Sequence, residues 1–352
     1  MGYFYQSSSR CHPCNEMVLI GLCGLSFVGR KTLASLLQKN YNFTILNVDP
    51  ALETPSADAI ASKQLTFPSV NELLDFVTER WQEDFVWPQV SSVSDYEVVS
   101  RRPFFVLIQV KAAMQQRLQR SGGRTLAELT AGDDELNFNP SGLMMISPFA
   151  AFTFVNNGSV DQLSWSLARL GLDSKQQKTL LFRPNWDAYF MAIADFAAKR
   201  TNCMKRGVGA VLVQDTRIIA TGYNGTARGL NNCLNGGCSR CNSNIKCGQQ
   251  LDSCLCLHAE ENALLEAGRV RSEGSTLYST TSPCLSCAKK ICQMGVRRVV
   301  YHRDYSVEHF TERLLKEAGI VLEKFTGNFR QVVIDCSAVE SCADLCNGIN
   351  RL

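Results

Sequence analysis

Two short motifs, each followed by a helix-like stretch, constrain this chain more than any other feature. The tripeptide His258–Glu260 precedes ENALLEAG, and the pentapeptide Pro283–Cys287 precedes AKKICQMG. Cys284 and Cys287 are three residues apart, so in the first turn of a helix their sulfurs face the same side and can bind one ion. The free N–H groups of a helix N-terminus favour thiolate over thiol. The sequence therefore predicts one metal centre formed by His258, Cys284 and Cys287.

The number and type of these ligands indicate a catalytic centre. One imidazole and two thiolates leave the fourth tetrahedral position of Zn²⁺ for water, which is typical of catalytic rather than structural zinc sites. Glu260 is not needed as a ligand, and we predict that its carboxylate carries protons during catalysis. A P-C-x-x-C motif alone would also suit a structural zinc knuckle or a redox pair. Together with H-x-E, in this order, it matches the pattern of zinc-dependent nucleobase deaminases.

The surrounding residues, about 184–325, resemble the deoxycytidylate (dCMP) deaminase family. The resemblance implies a five-stranded mixed sheet flanked by helices, and zinc-dependent hydrolysis of dCMP to dUMP and ammonia, which supplies dUMP for thymidylate synthesis. It also implies that Asn224 contacts the sugar end of the substrate; the alternative is an ordinary Asn-Gly hairpin turn. The matching stretches are Val208–Val211, Gly222–Gly225, His258–Ala263 and Ser282–Ala288.

The same family has members regulated by nucleotides. They are activated by dCTP, inhibited by dTTP and usually hexameric, and the resemblance puts Gly222, Tyr223 and Gly225 near the regulatory nucleotide. That stretch commonly continues with a small residue and a proline, whereas Thr226–Ala227 follows here. The resemblance thus implies a homo-hexamer with dCTP and dTTP as effectors, with this departure at the regulatory stretch.

The cysteines suggest a second metal site. Of the sixteen cysteines, six lie between positions 233 and 256. Cys203 and Cys233 resemble positions that supply a structural zinc in phage-type members of the family. Cys238 and Cys241 would complete a closed four-cysteine site, with Cys254 as a substitute for either. The alternative is that some of these cysteines are buried thiols that act as small hydrophobic residues.

The amino-terminal half has a different pattern. The apolar run Met17–Leu25 leads into a glycine-containing turn and then into KTLASLLQKN, which predicts strand, loop and helix. Further strand candidates at Asn42–Asp49 and Arg101–Val110 alternate with helical patterns, which predicts an α/β domain with a mainly parallel sheet. With Asn156–Ser159 before a late helix, this order resembles P-loop nucleotide kinases of the dephospho-CoA kinase and nucleoside-monophosphate kinase type.

The P-loop itself departs from the required pattern. Gly24 and Gly29 have the separation found in G-x-x-x-x-G-K-[ST], but Arg30 occupies the lysine position and Lys31 the hydroxyl position. We therefore predict a degenerate P-loop kinase-like domain over residues 17–175 and a deaminase domain over 184–325, followed by a carboxy-terminal tail at 326–352. Gly, Asp, Asn and Ser crowd residues 121–148, which predicts a surface excursion within the first domain.

Composition narrows the remaining function classes. Hydrophobic residues make up 45% of the chain and charged residues 20%, which is typical of a globular protein. The sequence contains no bilayer-length apolar run and no signal-peptide pattern, so we expect no membrane partner and a cytoplasmic or nuclear location. A net charge of +3 without a basic block disfavours nucleic acid as a partner. The alternatives are deamination of another cytosine or adenine substrate, nucleoside or polynucleotide, and a non-catalytic zinc-bound regulatory protein.

Overall fold

A seven-stranded parallel sheet and a five-stranded mixed sheet organise the chain. The computed structural model describes residues 17–52, 63–246, 249–305, 309–327 and 332–337. These residues form two compact units. One contains the described residues up to Arg183 together with the strand Val332–Asp335, and the other runs from Pro184 to Gly327. Within the described ranges, no helix is both long enough and apolar enough to span a bilayer.

The first unit alternates strands and helices. Its strands up to residue 183 are β1 (Leu19–Cys23), β2 (Thr44–Val48), β3 (Gln64–Phe67), β4 (Phe85–Trp87), β5 (Phe105–Lys111) and β6 (Phe152–Val155). Its α-helices are α1 (Arg30–Tyr41), α2 (Val70–Glu79), α3 (Val93–Val99), α4 (Met114–Arg120), α5 (Leu126–Phe138), α6 (Leu143–Ile146), α7 (Val160–Ala168) and α8 (Lys175–Phe182).

All strand pairs of this sheet are parallel, and the order is Val332–Asp335, β6, β5, β1, β4, β2, β3. Every residue of β1 is buried, as expected for an apolar strand covered on both faces. The predicted α/β class with a parallel sheet is confirmed. The strand Val332–Asp335 lies in the segment predicted as a tail, and its pairing with β6 was not predicted from the sequence.

The segment between β1 and α1 has the predicted order of strand, loop and helix. Gly24 and Gly29 begin and end the loop with φ angles of 147° and 100°, a region that disfavours side chains. The loop is held by side-chain donors: Arg117 Nε donates to the Ser26 carbonyl at 2.8 Å, and Asn156 Nδ2 donates to the Val28 carbonyl at 2.8 Å. The first unit therefore fixes this loop through its own buried polar groups.

Residues 121–148 contain more regular structure than the predicted surface excursion. They include α5 and α6. Thr125 caps α5 in a capping box with Glu128, in which each side chain bonds the backbone N–H of the other residue. This local signal is present in the sequence as T-x-x-E, and the abundance of Gly, Asp and Asn obscured it.

The second unit contains the mixed sheet. Its strands are β7 (Gly209–Gln214), β8 (Arg217–Tyr223), β9 (Gly225–Thr226), β10 (Cys256–Leu257), β11 (Thr276–Thr281), β12 (Arg298–Arg303) and β13 (Val321–Lys324). Its helices are α9 (Trp186–Ala198), α10 (Ala259–Ser272), α11 (Leu285–Gln293) and α12 (His309–Glu317).

The order of the main sheet in this unit is β13, β12, β11, β7, β8. The pairs of β12 with β11 and β13 are parallel, whereas β7 runs antiparallel to β11 and β8. Asp215 and Thr216, both with positive φ, form the tight turn between β7 and β8. The predicted five-stranded mixed sheet is confirmed, and β9 pairs with β10 in a separate two-stranded ribbon.

Candidate active site

The amino-terminal end of α10 presents the first motif. His258 is the N-cap residue of α10, and its carbonyl accepts from Asn262 N–H at 3.0 Å. Its side chain therefore lies at the helix N-terminus. Glu260 and Glu261 in the first turn suit the positive end of the helix dipole. A Cβ atom on Gly222 of β8 would lie 2.1 Å from the Ala259 carbonyl oxygen. The glycine therefore allows α10 to pack directly against the sheet.

The amino-terminal end of α11 presents the second motif. Cys284 is the N-cap residue, and its carbonyl accepts from Ala288 N–H at 2.9 Å. Cys287 is the third residue of the helix and is buried. A single strand, β11, follows α10 and precedes α11. It therefore connects the two helices that carry the motifs.

The structure brings the three predicted metal-binding side chains together. His258 Nδ1 lies 3.3 Å from Cys287 Sγ and 3.4 Å from Cys284 Sγ. All three donor atoms lie within 4.8 Å of one another. With zinc bonds of about 2.0–2.1 Å to nitrogen and 2.3 Å to sulfur, a tetrahedral site has nitrogen-to-sulfur edges of about 3.6 Å. The spacing and the chemistry of these donors therefore fit zinc.

The two thiols share a hydrogen bond that polarises the pair. The Cys287 thiol lowers the pKa of Cys284 to about 3, against the effect of burial, and His258 adds to the lowering. The same hydrogen bond, with burial, raises the pKa of Cys287. The Cys284 side chain in turn raises the pKa of His258, while burial opposes the rise. The pair thus readily yields one thiolate, and a metal ion would displace the second proton.

Glu260 lies inside the protein beside the three donors. It is 4% exposed; its Oε1 accepts from Ser279 Oγ at 3.2 Å, and its Oε2 lies 3.8 Å from Cys287 Sγ. Burial raises the pKa of this carboxyl, and hydrogen bonding to its own backbone N–H and the charge of His258 oppose the rise. A carboxyl with a raised pKa, held next to a metal centre, is suited to accept and return protons near neutral pH.

Asn224 is buried behind the motifs, between β8 and β9. Its Oδ1 accepts from the Val208 N–H and the Thr201 hydroxyl, both at 2.8 Å, and its Nδ2 donates to the Arg206 carbonyl at 2.7 Å. These bonds use three of the four hydrogen-bonding positions of the amide. Asn224 does not form a hairpin turn, because β8 and β9 on either side of it do not pair with each other and β9 pairs with β10. The contact with the substrate sugar stays a prediction.

Two residues of the predicted regulatory stretch, Gly222 and Tyr223, contact α10. Tyr223 accepts from Asn262 Nδ2 through its carbonyl at 2.7 Å, and a Cβ atom on Gly225 would lie 3.0 Å from Asn202 Cβ. Gly222 and Tyr223 thus pack against α10, whereas Gly225 packs against Asn202. Their predicted role in binding a regulatory nucleotide stays a prediction.

The structure divides the four predicted structural cysteines between two groups. Cys203, Cys233 and Cys241 assemble with Cys256, whereas Cys238 assembles with Cys241, Cys254 and Cys256. The set of Cys203, Cys233, Cys238 and Cys241 therefore differs from the observed groups. Cys254 was predicted only as a substitute, and Cys256, which belongs to both groups, was not predicted.

The fold and site define a zinc-binding deaminase domain. Residues 184–303 match the family model described as the cytidine and deoxycytidylate deaminase zinc-binding region. The deoxycytidylate deaminase of Schizosaccharomyces pombe is 40% identical over 321 residues, which cover 88% of this chain and 98% of that protein. The enzyme of the same name from Saccharomyces cerevisiae is 37% identical over 324 residues, covering 88% and 97%. The chain belongs to the deoxycytidylate deaminase family.

A solved structure also resembles part of the chain. The dCMP deaminase of cyanophage S-TIM5, determined in complex with dCMP and dUMP, is 31% identical and covers 40% of this chain and 98% of that one, with a TM-score of 0.31.

Proposed function

We propose that this chain catalyses the zinc-dependent hydrolysis of dCMP to dUMP and ammonia, and so supplies dUMP for thymidylate synthesis. The observation that carries the proposal is the position of Glu260. Its carboxyl is buried next to the His258, Cys284 and Cys287 donors but is not one of that group, so the fourth zinc position is left to water. A purely structural zinc site has no use for such a group. The two deoxycytidylate deaminases from yeasts, which match 88% of this chain, support dCMP as the substrate by their names.

The proposed chemistry assigns each side chain one task. His258, Cys284 and Cys287 would hold one catalytic zinc ion, which when bound lowers the pKa of water and acts as a Lewis acid. Glu260 accepts a proton from the water that attacks C4 of the cytosine ring and passes this proton to N3. It then takes the remaining proton from the new hydroxyl on C4 and gives it to the amino group, so that the C4–N bond breaks, ammonia leaves and the C4 carbonyl forms. Ser279 holds Glu260 in position for both transfers.

A comparison of substrates tests the proposal. The purified full-length chain is offered dCMP, dCTP, deoxycytidine and a single-stranded cytosine-containing oligonucleotide under identical conditions, and the uracil product is measured for each. We expect dCMP to react with the highest kcat/KM. Preferential turnover of the oligonucleotide or of deoxycytidine would support the alternative of another cytosine substrate, and no turnover of any substrate would support a regulatory protein.

We further propose that residues 17–175 form a degenerate kinase-like domain and residues 184–325 the deaminase domain. We also propose that dCTP and dTTP regulate the chain, that it forms a homo-hexamer, and that it is located in the cytoplasm or the nucleus. The strand Val332–Asp335 pairs with β6, so the predicted tail at 326–352 contributes to the sheet of the first unit.

A further inference from the structure

Six cysteines from three separate stretches of the second unit converge on one place. They fall into two groups of four, and two of the cysteines, Cys241 and Cys256, belong to both groups. Within each group, the four sulfurs lie within 4.8 Å of one another. The six are Cys203, Cys233, Cys238, Cys241, Cys254 and Cys256.

The distances between sulfurs match a metal-thiolate cluster. Cys241 Sγ lies 3.6 Å from both Cys203 Sγ and Cys254 Sγ, and 3.9 Å from Cys256 Sγ. Cys238 Sγ and Cys254 Sγ are 4.0 Å apart. A zinc ion with bonds of about 2.3 Å to four sulfurs has edges of about 3.8 Å, whereas the sulfurs of a disulfide are about 2.0 Å apart.

We propose that these six cysteines bind two zinc ions, with the thiolates of Cys241 and Cys256 bridging both. Six sulfurs complete two tetrahedra when two of them are shared, and Cys241 and Cys256 are the two that both groups share. Soft thiolate ligands in a closed, all-sulfur site select zinc over the hard divalent cations. One structural zinc ion is already implied by the family resemblance; the proposal adds a second ion and the two bridging thiolates, and it is independent of the reaction that the chain catalyses.

Hydrogen-bond donors point at sulfurs that would be terminal ligands of each ion. In the first group, Cys233 Sγ accepts from Met204 N–H at 3.5 Å and from Asn242 Nδ2 at 3.6 Å. In the second, Cys238 Sγ accepts from Leu255 N–H at 3.4 Å. Such donors stabilise the negative charge of thiolates and orient metal ligands. Both groups are therefore arranged for thiolates, as two ions require.

A buried cation lies where the cluster would carry excess negative charge. Six thiolates and two Zn²⁺ ions leave a formal charge of about −2. Arg240 directly precedes Cys241 in the chain, is 8% exposed and donates from Nε to the Gln249 carbonyl at 2.9 Å. A guanidinium buried beside neutral thiols would have no charge to balance it, whereas beside this cluster it is compensated.

The loop between β9 and β10 has no other hydrophobic core among its described residues. The hydrophobic cluster around Cys233, Cys238 and Cys241 consists of cysteines alone among the described residues. Three small buried side chains cannot offset the conformational entropy of ordering a loop of this length. Metal binding supplies the missing free energy, as it does in small domains that fold on binding zinc.

The cluster also adjoins the catalytic centre through the backbone. Cys256 lies in β10, which pairs with β9 through Thr226, and it precedes His258 by two residues. Fixing Cys256 therefore fixes the strand that leads into the catalytic histidine. We expect loss of the cluster to weaken binding of the catalytic zinc as a secondary effect.

Zinc content measured on the full chain tests the proposal without any assay of activity. Native mass spectrometry and elemental analysis should find three zinc ions per chain in the unmodified protein. They should find two in Cys284→Ala, which removes a predicted ligand of the catalytic centre. Cys254→Ser, at a terminal position, should lose one ion from the cluster. Cys256→Ser, at a bridging position, should lose both. Cys292→Ser, outside both groups, should retain all three.

X-ray absorption at the zinc edge on Cys284→Ala protein keeps the test valid if the bridging variants do not fold. A zinc-to-zinc distance of about 3 Å with only sulfur neighbours is expected for two edge-sharing tetrahedra. One ion per chain in Cys284→Ala, without a zinc neighbour, would indicate a single tetrathiolate site and overturn the proposal. No zinc in that variant would show that these six cysteines are ordinary thiols.

Discussion

Ser279 donates its hydroxyl to Oε1 of Glu260 at 3.2 Å from a fully buried position in β11. This bond fixes one carboxylate oxygen and leaves Oε2 on the side of Cys287. The strand thus holds the carboxyl of Glu260, and the two helix ends that flank the strand hold His258, Cys284 and Cys287.

Ser279→Ala should lower kcat for dCMP roughly 10-fold or more, because residues that orient the groups around a metal site typically contribute 10- to 100-fold. Removing a donor to the ionised carboxylate also raises its pKa, so the acidic limb of the pH–rate profile should move to higher pH. Steady-state kinetics from pH 5 to 9 check both effects. Ser275→Ala is the matched control, since Ser275 is equally buried but donates to Ser272. Unchanged kcat and pH profile in Ser279→Ala would show that the bond has no positioning role.

His258→Ala, Cys284→Ala and Cys287→Ala should each lose the catalytic zinc, because a site with two remaining ligands binds the ion much more weakly. Elemental analysis after gel filtration checks this against the unmodified chain. Cys292→Ala serves as the control, because Cys292 lies in α11 outside the three donors. Undiminished zinc in all three variants would mean that other residues bind the catalytic ion.

Gly222→Ala should destabilise the second unit by about 2–3 kcal/mol, the cost of forcing an atom into a packed interior. The new Cβ would lie 2.1 Å from the Ala259 oxygen and 2.6 Å from the Ala263 nitrogen, so α10 must move and His258 with it. We expect a lower Tm together with reduced dCMP turnover. Gly132→Ala, whose Cβ would meet nothing within 4 Å, should leave turnover unchanged and should not lower the Tm, because alanine is favoured over glycine inside a helix such as α5. Full activity and an unchanged Tm in Gly222→Ala would contradict the close packing of β8 on α10.

The first unit should not transfer phosphate from ATP, because Arg30 occupies the place of the P-loop lysine and its planar guanidinium does not replace a compact ammonium. Burial also lowers the pKa of Arg30, although the charge of Cys23 opposes this effect. Release of phosphate from radiolabelled ATP, measured with candidate nucleotide acceptors, checks the prediction. Phosphoryl transfer that disappears in Lys31→Ala would show a displaced but active P-loop.

Features with local causes could be predicted from the sequence. The spacing of Cys284 and Cys287 reflects helix geometry, and with the H-x-E motif it predicted that His258, Cys284 and Cys287 come together, as they do. The proton-carrying role of Glu260 stays a proposal. The alternation of apolar strands with helices in the first half likewise predicted its parallel sheet.

Features that depend on pairing between distant parts of the chain could not be predicted from the sequence. Ser279 belongs to TLYSTT, where nothing local separates it from its neighbouring hydroxyl residues. Cys238 groups with Cys254 rather than with Cys203 because of the path of the loop, which spacing does not determine. The strand Val332–Asp335 joins a sheet whose nearest strand, β6, ends more than 170 residues earlier in the sequence.

The most direct test of the account compares the unmodified chain with Glu260→Gln at measured zinc content. Both proteins are incubated with dCMP, and dUMP and ammonia are quantified together with zinc per chain. We expect equal zinc and a loss of turnover of about 10²- to 10⁴-fold in Glu260→Gln, because glutamine keeps the shape of the side chain but cannot carry protons. Turnover equal to that of the unmodified chain, or loss of zinc from the variant, would contradict the role assigned to Glu260.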